Sequence, residues 1–184
     1  MTTDTIIKYC SPTLAGLKVA NLFSYGYETL DELFNSIKKL NAQLNKKGVY
    51  FSVLKVSKNR ALILVYRENK LQSILENIDI QIFLQEYNYT SFNCEDCFTV
   101  LKQHLKNDNF PHEIGIFLGY PLEDTKAFIK HKGKNYLMMG YWKVYSNIAE
   151  TNKLFEKFNK AKRIYAQLFA KGFDISRLTV AEYV

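Results

Sequence analysis

The segment from Phe110 to Pro121 holds the densest set of chemically capable side chains in this sequence. His112 could act as a general base or bind a metal, and Glu113 follows it directly. The apolar run from Ile114 to Leu118 predicts a buried strand. Because neighbouring residues on a strand point to opposite faces, His112 and Glu113 are not expected to form a mutual acid/base pair. The alternative is a structural histidine, hydrogen-bonded to the backbone at the strand entry.

The same segment ends in Gly119-Tyr120-Pro121, which predicts a turn from a strand into a helix. A ligand could approach the backbone closely at Gly119, and the start of the following helix could receive an anion. Glu123 and Asp124 lie in the first turn of that helix and disfavour a phosphate there. The alternative is a tight turn with a structural role alone.

Tyr141, Lys143 and Tyr145 alternate along a predicted strand from Tyr136 to Tyr145. Residues spaced by two share one face of a strand. Together with Tyr120 and Lys18 they would form a pocket of phenols and amines that suits a flat, anionic ligand. They could equally be ordinary positions of a half-buried strand.

Cys94-Glu95-Asp96-Cys97 has the spacing of a metal or redox pair. A closed zinc site needs four ligands, and the acidic residues between the cysteines do not lower a thiol pKa. The remaining candidates are scattered. We therefore expect free thiols and no metal site; the other candidate ligands are Cys10, His104, His112 and His131.

Charge alone does not identify a partner. The net charge is +7, and the lysines are spread along the chain. A basic stripe on the last predicted helix could contact nucleic acid, but such a stripe is more often a solvated helix face, so nucleic acid is not an expected partner. The stripe consists of Lys153, Lys157, Lys160 and Arg163.

Length and composition are those of an ordinary soluble globular protein. The 184 residues, 47% hydrophobic and 23% charged, predict a single domain from about residue 5 to about residue 180. The first residues do not contain a basic segment followed by an apolar one, so we expect no secretory signal. The longest apolar run, Ala61 to Tyr66, is too short to span a bilayer. We expect a cytoplasmic protein without a membrane partner.

Apolar periodicity and turn residues predict an α+β fold, with a small mixed sheet of about four or five strands flanked by helices. The run Ala61 to Tyr66 is apolar on consecutive residues, as in a central strand, and the Ile114 strand is expected beside it. Helices are predicted at Ser11–Phe23, Asp31–Leu44, Lys70–Asn77, Cys94–Lys106, Pro121–Ile129 and Ile148–Lys171, and strands at Val49–Val56, Arg60–Tyr66, Ile80–Leu84, Ile114–Leu118 and Tyr136–Tyr145.

Two motifs, Pro111-His112-Glu113 and Leu118-Gly119-Tyr120-Pro121, resemble the signatures of a bacterial family known as domain of unknown function 3793. The segments Cys10 to Lys18 and Gly140 to Tyr145 add to the likeness, which covers essentially the whole chain. The resemblance implies no particular activity, and it does not identify a cofactor.

The isolated polar candidates favour a binding module for a small molecule or a protein partner over an enzyme. One alternative is a small enzyme or redox-associated protein with a cleft near His112, Tyr120 and Lys143, and another is a nucleic-acid binder. A strand between the two motifs would hold their ends about 15–17 Å apart, which works against a shared cleft. The binding candidates are His112, Glu113, Gly119, Tyr120, Lys18, Tyr141 and Lys143.

Overall fold

The computed structural model describes residues 1–107 and 109–182. It confirms the predicted α+β class, with helices flanking two small antiparallel sheets. In chain order the elements are α1 (Thr3–Leu14), β1 (Ala20–Gly26), α2 (Leu30–Leu44) with a 3₁₀ turn (Asn45–Lys47), β2 (Val49–Ser57), β3 (Arg60–Arg67), α3 (Glu68–Leu75), α4 (Ile78–Gln85), α5 (Cys94–His104), α6 (Ile114–Phe117), α7 (Leu122–Lys130), β4 (Met138–Met139), β5 (Lys143–Val144), α8 (Ile148–Ala170) and α9 (Ile175–Leu178).

The larger sheet has the order β1-β3-β2, and both pairings are antiparallel. β3 is its central strand, as the unbroken apolar run predicts. Ile63 and Val65 pack into the core on one face, and Leu64 and Tyr66 pack into the core on the other. A strand that is covered on both faces needs apolar residues at every position, which explains the absence of alternation.

The two faces of this sheet are covered by different helices. α1, α2 and α9, with Tyr165 of α8, bury one face. α3, α4, α5 and α6 bury the other. A smaller apolar cluster lies apart from both layers, where Trp142 and Val144 pack on Phe155 and Phe158 of α8. This third cluster supports the short β4–β5 hairpin that contributes to the site described below.

Two predicted strands are helices. Ile114 and Ile116 are buried as expected, but they belong to the single helical turn α6 and do not pair with β3. Ile80 to Leu84 lies in α4, whose first turn is capped by the Asn77 side chain. Apolar runs of about five residues show no clear period, so a buried helix and a buried strand look alike in them.

The first predicted helix is also wrong. α1 begins eight residues earlier than predicted, at Thr3, and Thr2 is its N-cap. It ends before Gly16, which has a left-handed φ of 72° and is a C-terminal stop rather than an interior glycine. The following residues form the edge strand β1.

The predicted strand from Tyr136 to Tyr145 is a hairpin, not one strand. Met138 pairs with Val144 and Met139 pairs with Lys143, with Gly140 in the connecting turn. Because the chain reverses there, Tyr145 does not follow Tyr141 and Lys143 along one straight face.

Candidate functional site

A cavity of about 350 Å³ lies between the β4–β5 hairpin and the segment that contains α6 and α7. Its inner wall is formed by buried side chains such as Ile114 and Trp142, while Phe110 and Met139 at its rim are half or more exposed. The lining is predominantly apolar and aromatic, and comprises Leu22, Phe110, His112, Ile114, Gly115, Leu118, Tyr120, Asp124, Thr125, Phe128, Met139, Gly140, Tyr141, Trp142 and Lys143.

The helical turn α6 brings the two sequence motifs to this cavity. The N–H of Gly115 donates to the carbonyl of His112 at 3.2 Å, and the N–H of Tyr120 donates back to the carbonyl of Gly115 at 2.9 Å. A helix rises about 1.5 Å per residue, against about 3.3 Å for a strand. The separation expected for a strand therefore does not apply, and His112 and Tyr120 line the same cavity.

Asp124 ties the hairpin to α7. Its side chain is buried, and Oδ2 accepts a hydrogen bond from Nε1 of Trp142 at 2.8 Å. Oδ1 accepts from the backbone N–H groups of Tyr145 and Ser146 at 2.9 and 3.1 Å, and from the Ser146 hydroxyl. From the sequence, Asp124 is a first-turn acid that interacts favourably with the dipole of its helix. In the fold, its carboxylate also holds the β4–β5 hairpin, which forms the wall of the cavity opposite α7.

Tyr120 and Trp142 form one aromatic wall, with ring centroids 4.9 Å apart and planes inclined by 27°. The Tyr120 hydroxyl donates to the backbone carbonyl of Tyr141 at 3.1 Å. Burial raises the pKa of Tyr120 to about 12. The phenol is therefore neutral and already engaged at physiological pH, which suits a structural wall better than acid–base chemistry.

Two side chains that can carry positive charge lie at the rim. Nζ of Lys143 donates to the Gly133 carbonyl at 2.7 Å and lies 5.7 Å from the ring centroid of Phe128. The His112 ring lies edge-on against the same Phe128 ring, with centroids 5.0 Å apart. Among the described residues the His112 side chain makes no hydrogen bond.

Thr125 presents a polar atom in the inner wall. The residue is buried, and its Oγ1 has no hydrogen-bond partner among the described residues. Gly115 faces it: a Cβ on this glycine would lie 2.9 Å from Oγ1. Thr125 and Gly115 are therefore packed closely, and only a glycine fits at position 115 without a shift of its neighbours.

Three of the sequence candidates lie outside the cavity lining. Glu113 is buried beyond α6, where its carboxylate lies 2.7 Å from Nδ1 of His104 and 3.5 Å from the Tyr89 hydroxyl. Gly119 has a φ of 73°, and a Cβ there would lie 2.8 Å from Val19, so this glycine serves the turn and its packing.

Lys18, the third of these candidates, lies behind Tyr120. Its buried Nζ donates to the carbonyls of Ala20 and Leu118, and it lies 5.2 Å from the Tyr120 ring centroid. Desolvation by burial lowers the pKa of Lys18 to about 7. Lys18 supports the wall of the cavity without reaching the space inside it.

The cysteine pair shows no sign of activation. Burial raises the pKa of Cys94 to about 11 and that of Cys97 to about 12, and it raises the pKa of Cys10 as well. Reactive thiols have lowered pKa values. Within residues 1–107 and 109–182, no three His, Cys, Asp or Glu side chains are grouped so that they could hold a metal ion.

The basic stripe on α8 is a solvent-exposed helix face. Lys153, Lys157, Lys160 and Arg163 are all exposed, while Phe155 and Phe158 lie on the buried side. Over the described part of the chain, no helix has the length and apolarity needed to cross a membrane.

The sequence left several lining residues unnoticed, above all Thr125, Phe128 and the role of Asp124. The only available signals were indirect: the chain has a single tryptophan, Trp142, and an acid in the first turn of α7. Thr125 and Phe128 carry no motif, and only the tertiary fold turns them toward the hairpin.

Fold and site together define a single-domain α+β protein with a ligand-sized aromatic cavity beside its core. The chain belongs to the family described as Protein of unknown function (DUF3793), whose model matches residues 6–179. This confirms the resemblance carried by the two motifs. No curated protein and no solved structure matches the chain.

Proposed function

We propose that this protein is a binding module for a small, flat, largely apolar molecule, held in the aromatic cavity. The observation that carries the proposal is the buried Oγ1 of Thr125, a polar atom without a described partner in the wall of that cavity. Buried polar atoms are almost always hydrogen-bonded, so an exception in a residue that lines a cavity suggests a partner that binds in that cavity. The volume of about 350 Å³ lies in the range of small-molecule sites.

The hydrogen bonds that the polar side chains already make favour binding over catalysis. The Tyr120 hydroxyl is engaged by the Tyr141 carbonyl, and the Asp124 carboxylate accepts four hydrogen bonds that hold the hairpin. Groups bound in this way shape a site but are poorly available for proton transfer. Of the sequence hypotheses, the binding module for a small molecule therefore has the best support.

The proposal includes a cytoplasmic location and excludes nucleic acid as the partner. Three buried cysteines in thiol form suit a reducing compartment. The exposed charges of α8 suit a solvated face, and they lie on a different element from the cavity lining.

Trp142 allows a direct test, because it is the only tryptophan of the chain and lines the cavity. In ¹⁵N-labelled protein it gives a single indole N–H signal, from the group that donates to Asp124. We expect the neutral aromatic probe 2-naphthamide to shift this signal in a saturable manner. Absence of a saturable shift at millimolar probe would contradict the proposed function.

A matched pair of variants locates the probe. Leu22 is half-buried and lines the cavity, whereas Leu17 is exposed outside it. We expect Leu22→Phe to fill part of the cavity and weaken probe binding at least about fivefold, since a packed space tolerates added volume poorly. Leu17→Phe should leave the affinity unchanged. Equal effects of both variants would place the probe elsewhere.

A further inference from the structure

We propose, on the basis of the proposed function, that the ligand is an aromatic carboxylic acid. Its carboxylate is held at the rim by Lys143 and His112, its ring lies against the aromatic walls, and a polar substituent at its inner end bonds to Thr125. This assigns a chemical class and an orientation to the occupant of the cavity.

Lys143 is positioned to receive an anion. One N–H of its ammonium group is held by the Gly133 carbonyl at 2.7 Å, and Nζ lies 5.0 Å from the Tyr136 ring centroid and 5.7 Å from that of Phe128. Gly133 has a φ of 70°, and a Cβ there would lie 3.2 Å from Nζ. The amine is thus held against the backbone of a glycine. The other two N–H donors of Lys143 have no partner among the described residues.

His112 supplies a second donor at the same place. Its ring and the Lys143 ammonium group both lie near the Phe128 ring, and both residues line the cavity. A carboxylate has two oxygens, and charge-assisted hydrogen bonds to such oxygens are stronger than neutral ones. Two donors on one aromatic ring therefore match a carboxylate better than a neutral group.

Asp124 determines the orientation. Its carboxylate also lines the cavity, and it would repel an anionic group placed beside Trp142 at the inner wall. Its oxygens already accept hydrogen bonds from Trp142, Tyr145 and Ser146, and the residue is only 2% exposed. The negative end of the ligand consequently belongs at the rim, and the apolar ring belongs inside.

Thr125 is the proposed hydrogen-bond partner for the inner end of the ligand. A hydroxyl group both donates and accepts, so Oγ1 can pair with a hydroxyl or a carbonyl of the ligand. Thr125 is buried, whereas Phe110 and Met139 are exposed, so this contact is assigned to the inner part of the cavity. A carboxylic acid with a polar group at the far side of its ring satisfies both ends.

Three probes of one shape separate these contributions: 2-naphthamide, 2-naphthoate and 6-hydroxy-2-naphthoate. The shift of the Trp142 indole signal reports their affinities at low ionic strength. We expect 2-naphthoate to bind about tenfold more tightly than 2-naphthamide, as a charge-assisted contact implies. In Lys143→Met this preference should fall severalfold, because only His112 remains to hold the carboxylate. Lys126→Met, on the exposed face of α7, should retain the preference.

The inner contact is tested by the third probe. The hydroxyl of 6-hydroxy-2-naphthoate should improve affinity severalfold over 2-naphthoate in the native protein and give no gain in Thr125→Val. A native protein that binds 2-naphthoate and 2-naphthamide equally overturns the carboxylate assignment but not the proposed function. Failure of all three probes overturns the proposed function itself. A hydroxyl gain that persists in Thr125→Val overturns the inner contact.

Discussion

Thr125 shows how one side chain can mark a site that no motif reveals. Its hydroxyl is buried without a described partner, and it packs closely against the backbone of Gly115. Leaving a buried hydroxyl unpaired costs about 1–3 kcal/mol. A fold that keeps such a group carries a cost in stability, and a bound ligand would recover it.

The cost of the unpaired hydroxyl leads to a prediction for the stability of a Thr125 variant. Thr125→Val removes the hydroxyl with little change in shape, so we expect the free energy of unfolding to rise by about 1 kcal/mol. The same variant should bind 6-hydroxy-2-naphthoate more weakly. Urea denaturation and the Trp142 signal measure the two effects.

Thr179 provides the matched control for this prediction. It is equally buried, but its Oγ1 donates to the Ile175 carbonyl at 2.7 Å. Thr179→Val should therefore lower stability by about 1 kcal/mol. If Thr125→Val destabilises as much as Thr179→Val does, the Thr125 hydroxyl has a structural partner and the case for the site is lost.

Between elements, Asp124 is the main connection of the β4–β5 hairpin to α7. The hairpin has only two residues in each strand, too few to be stable alone. The packing of Trp142 and Val144 on α8 supports it from one side, and the hydrogen bonds to Asp124 hold it from the other. The cavity exists because these two supports hold the hairpin over α6.

Removal of this connection should be costly. Asp124→Ala leaves the Trp142, Tyr145 and Ser146 donors without their acceptor, and we expect a loss of about 3 kcal/mol or more in the free energy of unfolding. Asp79→Ala, at an exposed first-turn position of α4, removes only a favourable interaction with the helix dipole of about 0.5 kcal/mol. Urea denaturation followed by circular dichroism compares the two variants, and similar losses would show that Asp124 is not a connection of this kind.

Sequence patterns predicted most long elements well, with α1 as the exception, and predicted two of the short ones wrongly. α2, the β2–β3 hairpin, α5, α7 and α8 follow their predictions because each has several turns of periodic apolar residues or a clear turn signal. α4 and α6 are wrong because a few consecutive apolar residues do not distinguish a buried helix from a buried strand. Because α6 was predicted as a strand, the distance between the Pro111-His112-Glu113 and Leu118-Gly119-Tyr120-Pro121 motifs was overestimated.

The cavity lining was predictable only in part. His112, Tyr120, Tyr141 and Lys143 line the cavity, and their part in binding a ligand remains a proposal. Glu113 and Lys18 were chosen for their charge, yet their side chains are buried in separate contacts. Thr125 and Phe128 could not be found, because only the contact between α7 and the distant hairpin gives them a role.

At the scale of the whole molecule, two buried basic side chains join elements that are far apart in the sequence. Arg67 donates to the carbonyls of Thr13, Leu14 and Val180, and it pairs with Glu182 at 3.6 Å. Lys18 donates to the carbonyls of Ala20 and Leu118, and so links β1 to the end of α6. Arg67 has a carboxylate partner, whereas the bonds of Lys18 among the described residues are to neutral carbonyls.

This difference predicts that stability depends on pH through Lys18. Burial lowers its pKa from 10.5 in a free chain to about 7 in the fold. Between these values the unfolded chain holds the proton and the folded chain does not, so the free energy of unfolding rises with pH, by up to about 1.4 kcal/mol per pH unit. Below pH 7 both states are charged and this gain is absent. Measurements from pH 7 to 9 avoid the buried tyrosines, whose raised pKa values in the fold oppose the trend at higher pH. The raised pKa values of Cys10, Cys94 and Cys97 oppose it within this range, so the contribution of Lys18 is measured against a variant that keeps the three cysteines.

Urea denaturation across this range, with Lys18→Met beside the native protein, isolates the contribution. We expect the native protein to gain about 2 kcal/mol from pH 7 to 9 relative to Lys18→Met, which has no proton to release at that position. Lys38→Met, at an exposed position on α2, should keep the native pH dependence because it leaves Lys18 in place. Parallel pH profiles for the native protein and Lys18→Met would mean that the buried ammonium group stays charged. Its bonds to the Ala20 and Leu118 carbonyls would then be strong enough to compensate for its loss of water, and the wall behind Tyr120 would carry a permanent positive charge.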